Sequence, residues 1–124
     1  MNQTNESLLL VPTKNSPLID FNVGGVLVIE GRSIDEEIER IFVPAIEWCK
    51  SLVIQFVYLT IKLDYVNNSS ARQLNQIFLQ LENNTYVNEI DVSWYTDMDD
   101  CGQYEMAEMF RDLHKGINFR FFRI

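Results

Sequence analysis

The chain has 124 residues, of which 47% are hydrophobic and 23% charged, and its formal net charge at pH 7 is −8. This length suits one domain with a single core, and the acidic balance argues against nucleic acid or an anionic membrane surface as a partner. No apolar run is long enough to cross a bilayer, and the polar residues 1–7 lack the pattern of a secretion signal, so we expect a cytoplasmic protein.

The first apolar run is short. Leu8–Val11 is closed by Pro12 and is interpreted as an edge strand or a docked arm, since proline cannot extend a hydrogen-bonded ladder. We therefore divide the chain into an N-terminal arm over residues 1–12 and a single domain over residues 13–124.

A β-hairpin is predicted next. Residues 18–23 and 26–30 are strand-like, and Gly24 and Gly25 between them can adopt positive φ at low cost. Residues 31–33 are predicted to form a loop.

The first helix is predicted over Ile34–Ser51. Ser33 can cap it, and the acidic residues 35–37 suit the positive end of the helix dipole. Pro44 predicts a kink or a break, because its ring opposes the carbonyl of the preceding turn. Trp48 lies beside the apolar face and is assigned to the core.

The middle of the chain changes its period of hydrophobicity. Apolar residues alternate with polar ones up to Val66, which is typical of a strand beginning near Val53. From Ala71 the apolar residues recur at helical spacing up to about Glu82. Residues 67–70, Asn-Asn-Ser-Ser, form the turn between them.

The last third repeats this order. A strand over residues 85–95 is followed by an acidic turn, a helix over residues 100–114 and a final strand over residues 117–124. Helices that alternate with strands imply parallel neighbouring strands joined by right-handed crossovers. With the hairpin added, the fold class is α/β, a single-domain mixed β-sheet with packed helices.

The turn before the second helix is chemically biased toward anions, because a helix start carries unpaired N–H groups and a partial positive charge. Ser70 and Gln73 fit a capping box, and Asn68 or Ser69 fits the cap equally well. The structural interpretation is that these residues only cap a helix. The functional one is that a hydroxyl here accepts a phosphoryl group.

Other sites receive structural interpretations. Asp97, Asp99 and Asp100 carry oxygens that suit a hard cation but lack the spacing of a calcium loop, so N-capping of the third helix is favoured. His114 falls in the last turn of a helix, where it suits the negative end of the dipole. We therefore predict no catalytic residue, metal site or cofactor.

Five segments together resemble the SiaC family of bacterial regulatory phosphoproteins. The most specific are the Gly-Arg-Ser loop, the helix segment ending in Glu-Trp and the Asn-x-Ser-Ser turn. The segments are Ser16–Ile19, Gly25–Ser33, Pro44–Trp48, Leu63–Ser70 and Val92–Tyr95.

The resemblance extends from about Thr13 to the end of the chain and implies a STAS-like fold, as in anti-sigma-factor antagonists. It also implies a non-enzymatic switch protein. A protein kinase phosphorylates such a protein, a metal-dependent phosphatase reverses the reaction, and one form binds and activates a diguanylate cyclase in c-di-GMP signalling.

The family's phosphoacceptor is the threonine of an Asn-Thr-Ser-Ser motif, and this chain has Asn68 at that position. An amide cannot accept a phosphoryl group, so the expected acceptors are Ser69 and Ser70, or else this chain is not switched in the usual way. Asn68 would then hold the unphosphorylated, partner-competent state. We expect the partner-binding surface to comprise Asn67, Asn68, Ser69, Ser70 and Arg72.

Two further hypotheses stay open. A small-molecule or lipid-binding module of the same architecture is the main alternative, with Trp48, Trp94 and Tyr65 lining a pocket. A hydrolase that uses Asp97 and Asp99 is the least favoured.

Overall fold

The computed structural model describes residues 6–124, so part of the predicted N-terminal arm, residues 1–5, lies outside the described chain. Within it, six strands and three helices form one mixed sheet with helices packed on it. The strands are β1 (Leu8–Leu10), β2 (Leu18–Phe21), β3 (Val26–Ser33), β4 (Phe56–Val66), β5 (Glu89–Thr96) and β6 (Asn118–Arg123). The helices are α1 (Ile38–Ser51), α2 (Asn68–Asn83) and α3 (Cys101–Leu113).

The strands lie in the sheet in the order in which they occur in the chain. β1, β2 and β3 are antiparallel neighbours, and β3, β4, β5 and β6 are parallel neighbours. The predicted α/β mixed sheet is therefore confirmed. Because each parallel strand is added on the same side of the previous one, right-handed crossovers place all three helices on one face.

The core lies between this face and the helices. Val57, Leu59 and Ile61 of β4 are buried, whereas Tyr58 and Lys62, which point to the opposite face, are exposed. The alternation read from the sequence therefore separates the covered face of the sheet from the open one.

Tight packing at the hairpin explains why residue 25 is a glycine. Gly25 has φ of +95°, and a Cβ atom on it would lie 2.2 Å from the carbonyl oxygen of Phe56. The predicted hairpin is confirmed, and any side chain at residue 25 would collide with the start of β4.

The loop predicted at residues 31–33 is wrong. β3 continues to Ser33 through an irregularity between Gly31 and Arg32, where Gly31 has φ of +122°. α1 consequently begins four residues later than predicted, after Glu37, and Ser33 does not cap it. The helix is continuous through Pro44, so the predicted break is not observed.

The end of the predicted arm is tied to the domain. Leu8–Leu10 pairs with β2, which confirms the edge-strand interpretation. The indole N–H of Trp48 donates to the Glu6 carbonyl oxygen at 2.8 Å, and the Val23 N–H donates to the Ser7 hydroxyl at 3.1 Å.

Candidate functional site

The candidate site lies at the edge of the sheet where parallel strands end. β3, β4 and β5 run in the same direction, so their carboxyl ends meet at this edge. α2 follows β4 after one residue, and α3 follows β5 after four. The starts of two helices, with their unpaired N–H groups, therefore lie at the same edge of the molecule.

α2 begins three residues earlier than predicted, and its cap is Asn67. The Asn67 side-chain oxygen accepts from the Ser70 N–H at 2.8 Å, and its carbonyl accepts from the Ala71 N–H at 3.0 Å. The three candidate caps named from the sequence, Asn68, Ser69 and Ser70, are instead in the first helical turn.

Ser70 is fully buried. Its hydroxyl donates to the Ser33 carbonyl oxygen at 2.5 Å and accepts from the Ser33 hydroxyl at 2.6 Å. The Asn67 N–H also donates to the Ser33 carbonyl, at 3.1 Å. These bonds attach the start of α2 to the end of β3 and enclose the Ser70 hydroxyl, which argues against Ser70 as the phosphoacceptor.

The other residues of the predicted partner-binding surface differ in their exposure to solvent. Asn68 and Arg72 are exposed, while Asn67 and Ser69 are half-buried. Ser69 and Arg72 are three residues apart on α2 and so share a face of the helix. The first-turn amides of Asn68 and Ser69 precede the first intrahelical bond and point away from the helix.

A polar hollow with a volume of about 550 Å³ lies between the end of β4 and the loop that joins β5 to α3. It is lined by Asp64, Tyr65, Asp97, Asp99 and Asp100. Two of the carboxylates are already in use, because Asp97 accepts from the Asp99 N–H at 2.8 Å and Asp100 accepts from the Gln103 N–H at 2.9 Å. Within residues 6–124, no three metal-ligating side chains are grouped to hold a metal ion.

Asp100 caps α3, as predicted, and Gln103 attaches this helix to the sheet. The Gln103 amide donates to the Leu63 carbonyl oxygen at 2.9 Å and accepts from the Trp94 indole at 3.0 Å. Asp100 is therefore a structural residue, as the capping interpretation predicted.

Arg32 lies at the end of β3 beside the same hollow. Its guanidinium carbon is 4.9 Å from the centre of the Tyr65 ring, a cation–π contact. Its Nε atom is buried, with no hydrogen-bond partner in the described chain.

His114 has a structural position between α2 and the end of α3. Its Nδ1 lies 2.5 Å from Glu82 Oε1, its Nε2 lies 2.6 Å from Asn75 Oδ1, and the ring packs on Phe78. Both ring nitrogens are engaged and the side chain is buried, so this histidine is placed as a link between elements rather than as an exposed base.

The aromatic residues of the ligand-binding alternative do not meet in one pocket. Trp94 is fully buried against Phe78 and Phe110, and Trp48 packs on Phe21. Tyr65 lies instead at the acidic hollow. The two tryptophans fill the core, which removes the basis of that alternative.

Ser33 and Gln103 are two residues of the site that the sequence analysis does not predict. Ser33 is predicted to cap α1, whereas its hydroxyl bonds to Ser70, 37 residues along the chain. Gln103 could have been found from its spacing, since a glutamine three residues after an aspartate cap is a recognisable position at a helix start. The segments of the family resemblance did include Ser33 in the Gly-Arg-Ser sequence.

Comparison with known proteins places this architecture among the STAS-like regulatory domains. The model of the SiaC family regulatory phosphoproteins matches residues 10–124. The chain therefore belongs to the SiaC family, and the expected STAS-like fold is confirmed. No curated protein sequence matches it.

Solved structures of SiaC from Pseudomonas aeruginosa share the fold. Apo-SiaC is 23% identical with a TM-score of 0.80, and the match covers 94% of this chain and 98% of that one. In the crystal structure of the diguanylate cyclase SiaD in complex with its activator SiaC, the matching chain is 22% identical with a TM-score of 0.78, covering 94% of this chain and 99% of that one. None of the helices in residues 6–124 has the length and apolar character needed to span a membrane.

Proposed function

We propose that this chain is a non-enzymatic cytoplasmic switch protein that binds and regulates a diguanylate cyclase, and that phosphorylation at the start of α2 controls this binding. A protein kinase adds the phosphoryl group and a metal-dependent phosphatase removes it. The observation that carries the proposal is the accessible, nearly neutral start of α2 in a chain that belongs to a family of regulatory phosphoproteins.

Ser69 is the proposed acceptor. It is the hydroxyl in the first turn of α2 that is not enclosed, since Ser70 is bonded to Ser33 and Asn68 carries an amide. A phosphate on Ser69 lies beside the unpaired amides of the first turn and three residues from Arg72, both of which favour an anion.

The charge of α2 explains why this phosphate changes binding. Arg72 and Glu82 are the only charged residues of the helix, and Glu82 lies at its far end. Phosphorylation adds about two negative charges to a surface that otherwise carries one positive charge. A partner that fits the neutral surface is then repelled, while the core stays unchanged.

Asn68 also supports a phosphorylation-controlled surface at the start of α2. At the position of the family's threonine it is exposed, keeps a polar helix start and adds no charge. It therefore favours the unphosphorylated, partner-competent form, and it transfers the switch to the neighbouring hydroxyl.

The test uses the diguanylate cyclase encoded in the same genome and measures its binding and its rate of c-di-GMP synthesis. We expect Ser69→Asp to weaken binding about tenfold, the scale of an unfavourable charge at an interface, while Ser69→Ala binds like the wild type. Asn83→Asp, which adds one charge at the other end of α2, is the matched control. Equal binding by Ser69→Asp and wild type would contradict the proposed switch, and a cyclase that ignores the wild type would contradict the proposed partner.

A further inference from the structure

The three helices cover one face of the sheet and, within residues 6–124, leave the opposite face open. Neighbouring strands are paired residue by residue, so the side chains of this open face form rows across it. In the two central strands, Glu30 of β3 lies beside Lys62 of β4, and Val28 lies beside Thr60 in the next row. Both charged residues are exposed, and Val28 and Thr60 are half-buried. The centre of the open face therefore places a pair of opposite charges next to an uncharged row.

The open face also exposes large apolar side chains. Val26 and Tyr58 form the row after Val28 and are 56% and 52% exposed, and Phe56, two residues before Tyr58, is 47% exposed. Near the far edge of the sheet Phe122 stacks on another aromatic ring of the same face. Several exposed apolar residues on one face are typical of an interaction surface.

The two halves of the open face carry opposite charges in the rows of Glu30 and Val28. Asp20 of β2 is paired with Val28, so β2 and β3 supply two carboxylates. Lys62 of β4 and Arg120 of β6 supply two cations in the other half. None of these four charged side chains forms an ion pair within the described part of the chain. A complementary partner brings the opposite charge to each half, and a second copy of this chain carries that pattern.

We propose that the open face binds the open face of a second copy, with the two-fold axis parallel to the strands and between β3 and β4. This rotation exchanges the two halves of the face. Glu30 of one copy then lies over Lys62 of the other, and Val28 lies over Thr60. The two copies together form a square of four alternating charges, in which each charge has two neighbours of opposite sign. Electrostatic complementarity of this kind fixes the orientation of the two copies, while the apolar rows supply contact area.

The same axis keeps like charges apart. Asp91 of β5 lies in the row of Val26 and therefore faces Asn22 of the other copy, because the Asn22 N–H donates to the Val26 carbonyl oxygen in that row. A two-fold axis that ran across the strands through either charged row would instead place each charge over its own counterpart. Arg120 would then lie over Arg120. The charge pattern therefore selects the axis parallel to the strands.

The size of the face suits such a dimer. Six strands about 4.8 Å apart, each contributing about six residues of 3.3 Å, cover roughly 500 Å² in projection. The side chains that stand on this area enlarge its accessible surface toward the about 800 Å² per partner of a standard interface. Sheets that pack face to face are rotated by about 30°, so the match is closest at the central strands.

The dimer does not use the surface proposed for the cyclase. All three helices lie on the outside of the pair, and the start of α2 stays free in both copies. This inference is therefore independent of the proposed function, and either can fail without the other.

The first experiment is sedimentation equilibrium of the full chain, with a thiol reductant because Cys101 is exposed. We expect the wild type to form a dimer whose fraction rises with concentration. Glu30→Lys and Lys62→Glu each turn the square into four like charges, so each should weaken dimerisation at least about tenfold. Glu105→Lys and Lys115→Glu change the net charge by the same amounts at exposed positions outside this face, and both should dimerise like the wild type.

Mixing the two variants tests the axis itself. Glu30→Lys has lysine at both positions and Lys62→Glu has glutamate at both, so only the mixed pair places opposite charges over each other. We expect the mixture to dimerise at least about tenfold more tightly than either variant alone. Tyr58→Glu, a change outside the charged square, should also weaken the wild-type dimer about tenfold. A wild type that stays monomeric at about 1 mM, a dimer that all three variants leave intact, or a mixture that gains nothing would each overturn the proposal.

Discussion

Helices α2 and α3 begin at the same edge of the sheet, and both are capped by a side-chain oxygen that accepts from the N–H three residues on, at 2.8 Å from Asn67 and 2.9 Å from Asp100. In each helix the residue that donates this N–H has a buried side chain, Ser70 or Gln103, which donates to a carbonyl oxygen of a strand. The starts of α2 and α3 are therefore capped and attached to the sheet in the same way.

Their charges differ. The start of α3 follows three aspartates, whereas the start of α2 has amides and hydroxyls, with Arg72 one turn on. A negative charge is already present at α3 and is absent at α2. The same type of cap therefore occurs at a helix start with permanent negative charge, α3, and at one without it, α2. An added negative charge changes the surface most at the start of α2.

The largest expected effect comes from Ser70→Asp. A carboxylate at this position is buried against the Ser33 carbonyl without a cation, so we expect a loss of about 3–5 kcal/mol in the free energy of unfolding, the scale of an uncompensated buried charge. Urea unfolding followed by circular dichroism measures it. A change below about 1 kcal/mol would mean that Ser70 is not enclosed as described.

Gln103→Ala tests the equivalent link at α3. It leaves the Trp94 indole N–H and the Leu63 carbonyl unpaired, for which we expect a loss of about 2–3 kcal/mol by the same unfolding measurement. Gln76→Ala, an exposed glutamine of α2, is the control and should stay within about 0.5 kcal/mol of wild type. Equal effects of the two substitutions would contradict the role of Gln103.

The two caps should contribute equally. Asn67→Ala and Asp100→Ala each remove one side-chain acceptor from a helix start, and each should lower the free energy of unfolding by about 1 kcal/mol. Only the loss at Asp100 should shrink in concentrated salt, because only that cap is charged. Matching salt dependence for the two variants would remove the electrostatic difference between the helix starts.

The smallest expected effect is the change in stability when a negative charge is added to the first turn of α2 or of α3. Ser69→Asp should be more stable than Ser69→Ala by about 0.3–1 kcal/mol, because the carboxylate meets the positive end of α2. At the matching position of α3, Gly102→Asp should gain nothing over Gly102→Ala, because Asp97 and Asp99 already supply negative charge. Thermal melts of the four variants test this, and an equal gain at both positions would contradict the comparison.

The sequence predicted the elements and their parallel order because these depend on local patterns. The alternation of β4 and the helical spacing of α2 survive in the structure with shifted ends. The bond between Ser33 and Ser70 could not be read, since no local pattern reveals which distant strand end a serine will meet. For the same reason Ser70 was predicted as an accessible hydroxyl, and the family resemblance, not the residue chemistry, pointed to this turn as a switch.

The central claim is that Ser69 is the hydroxyl at which this protein is switched. The most direct measurement is to incubate the chain with the proposed kinase from the same genome and map the phosphate by mass spectrometry, with Ser69→Ala and Asn68→Thr alongside. We expect stoichiometric phosphate on Ser69, its loss in Ser69→Ala, and a second acceptor at residue 68 in Asn68→Thr. Stoichiometric phosphate on any other residue of the wild-type chain would contradict the account.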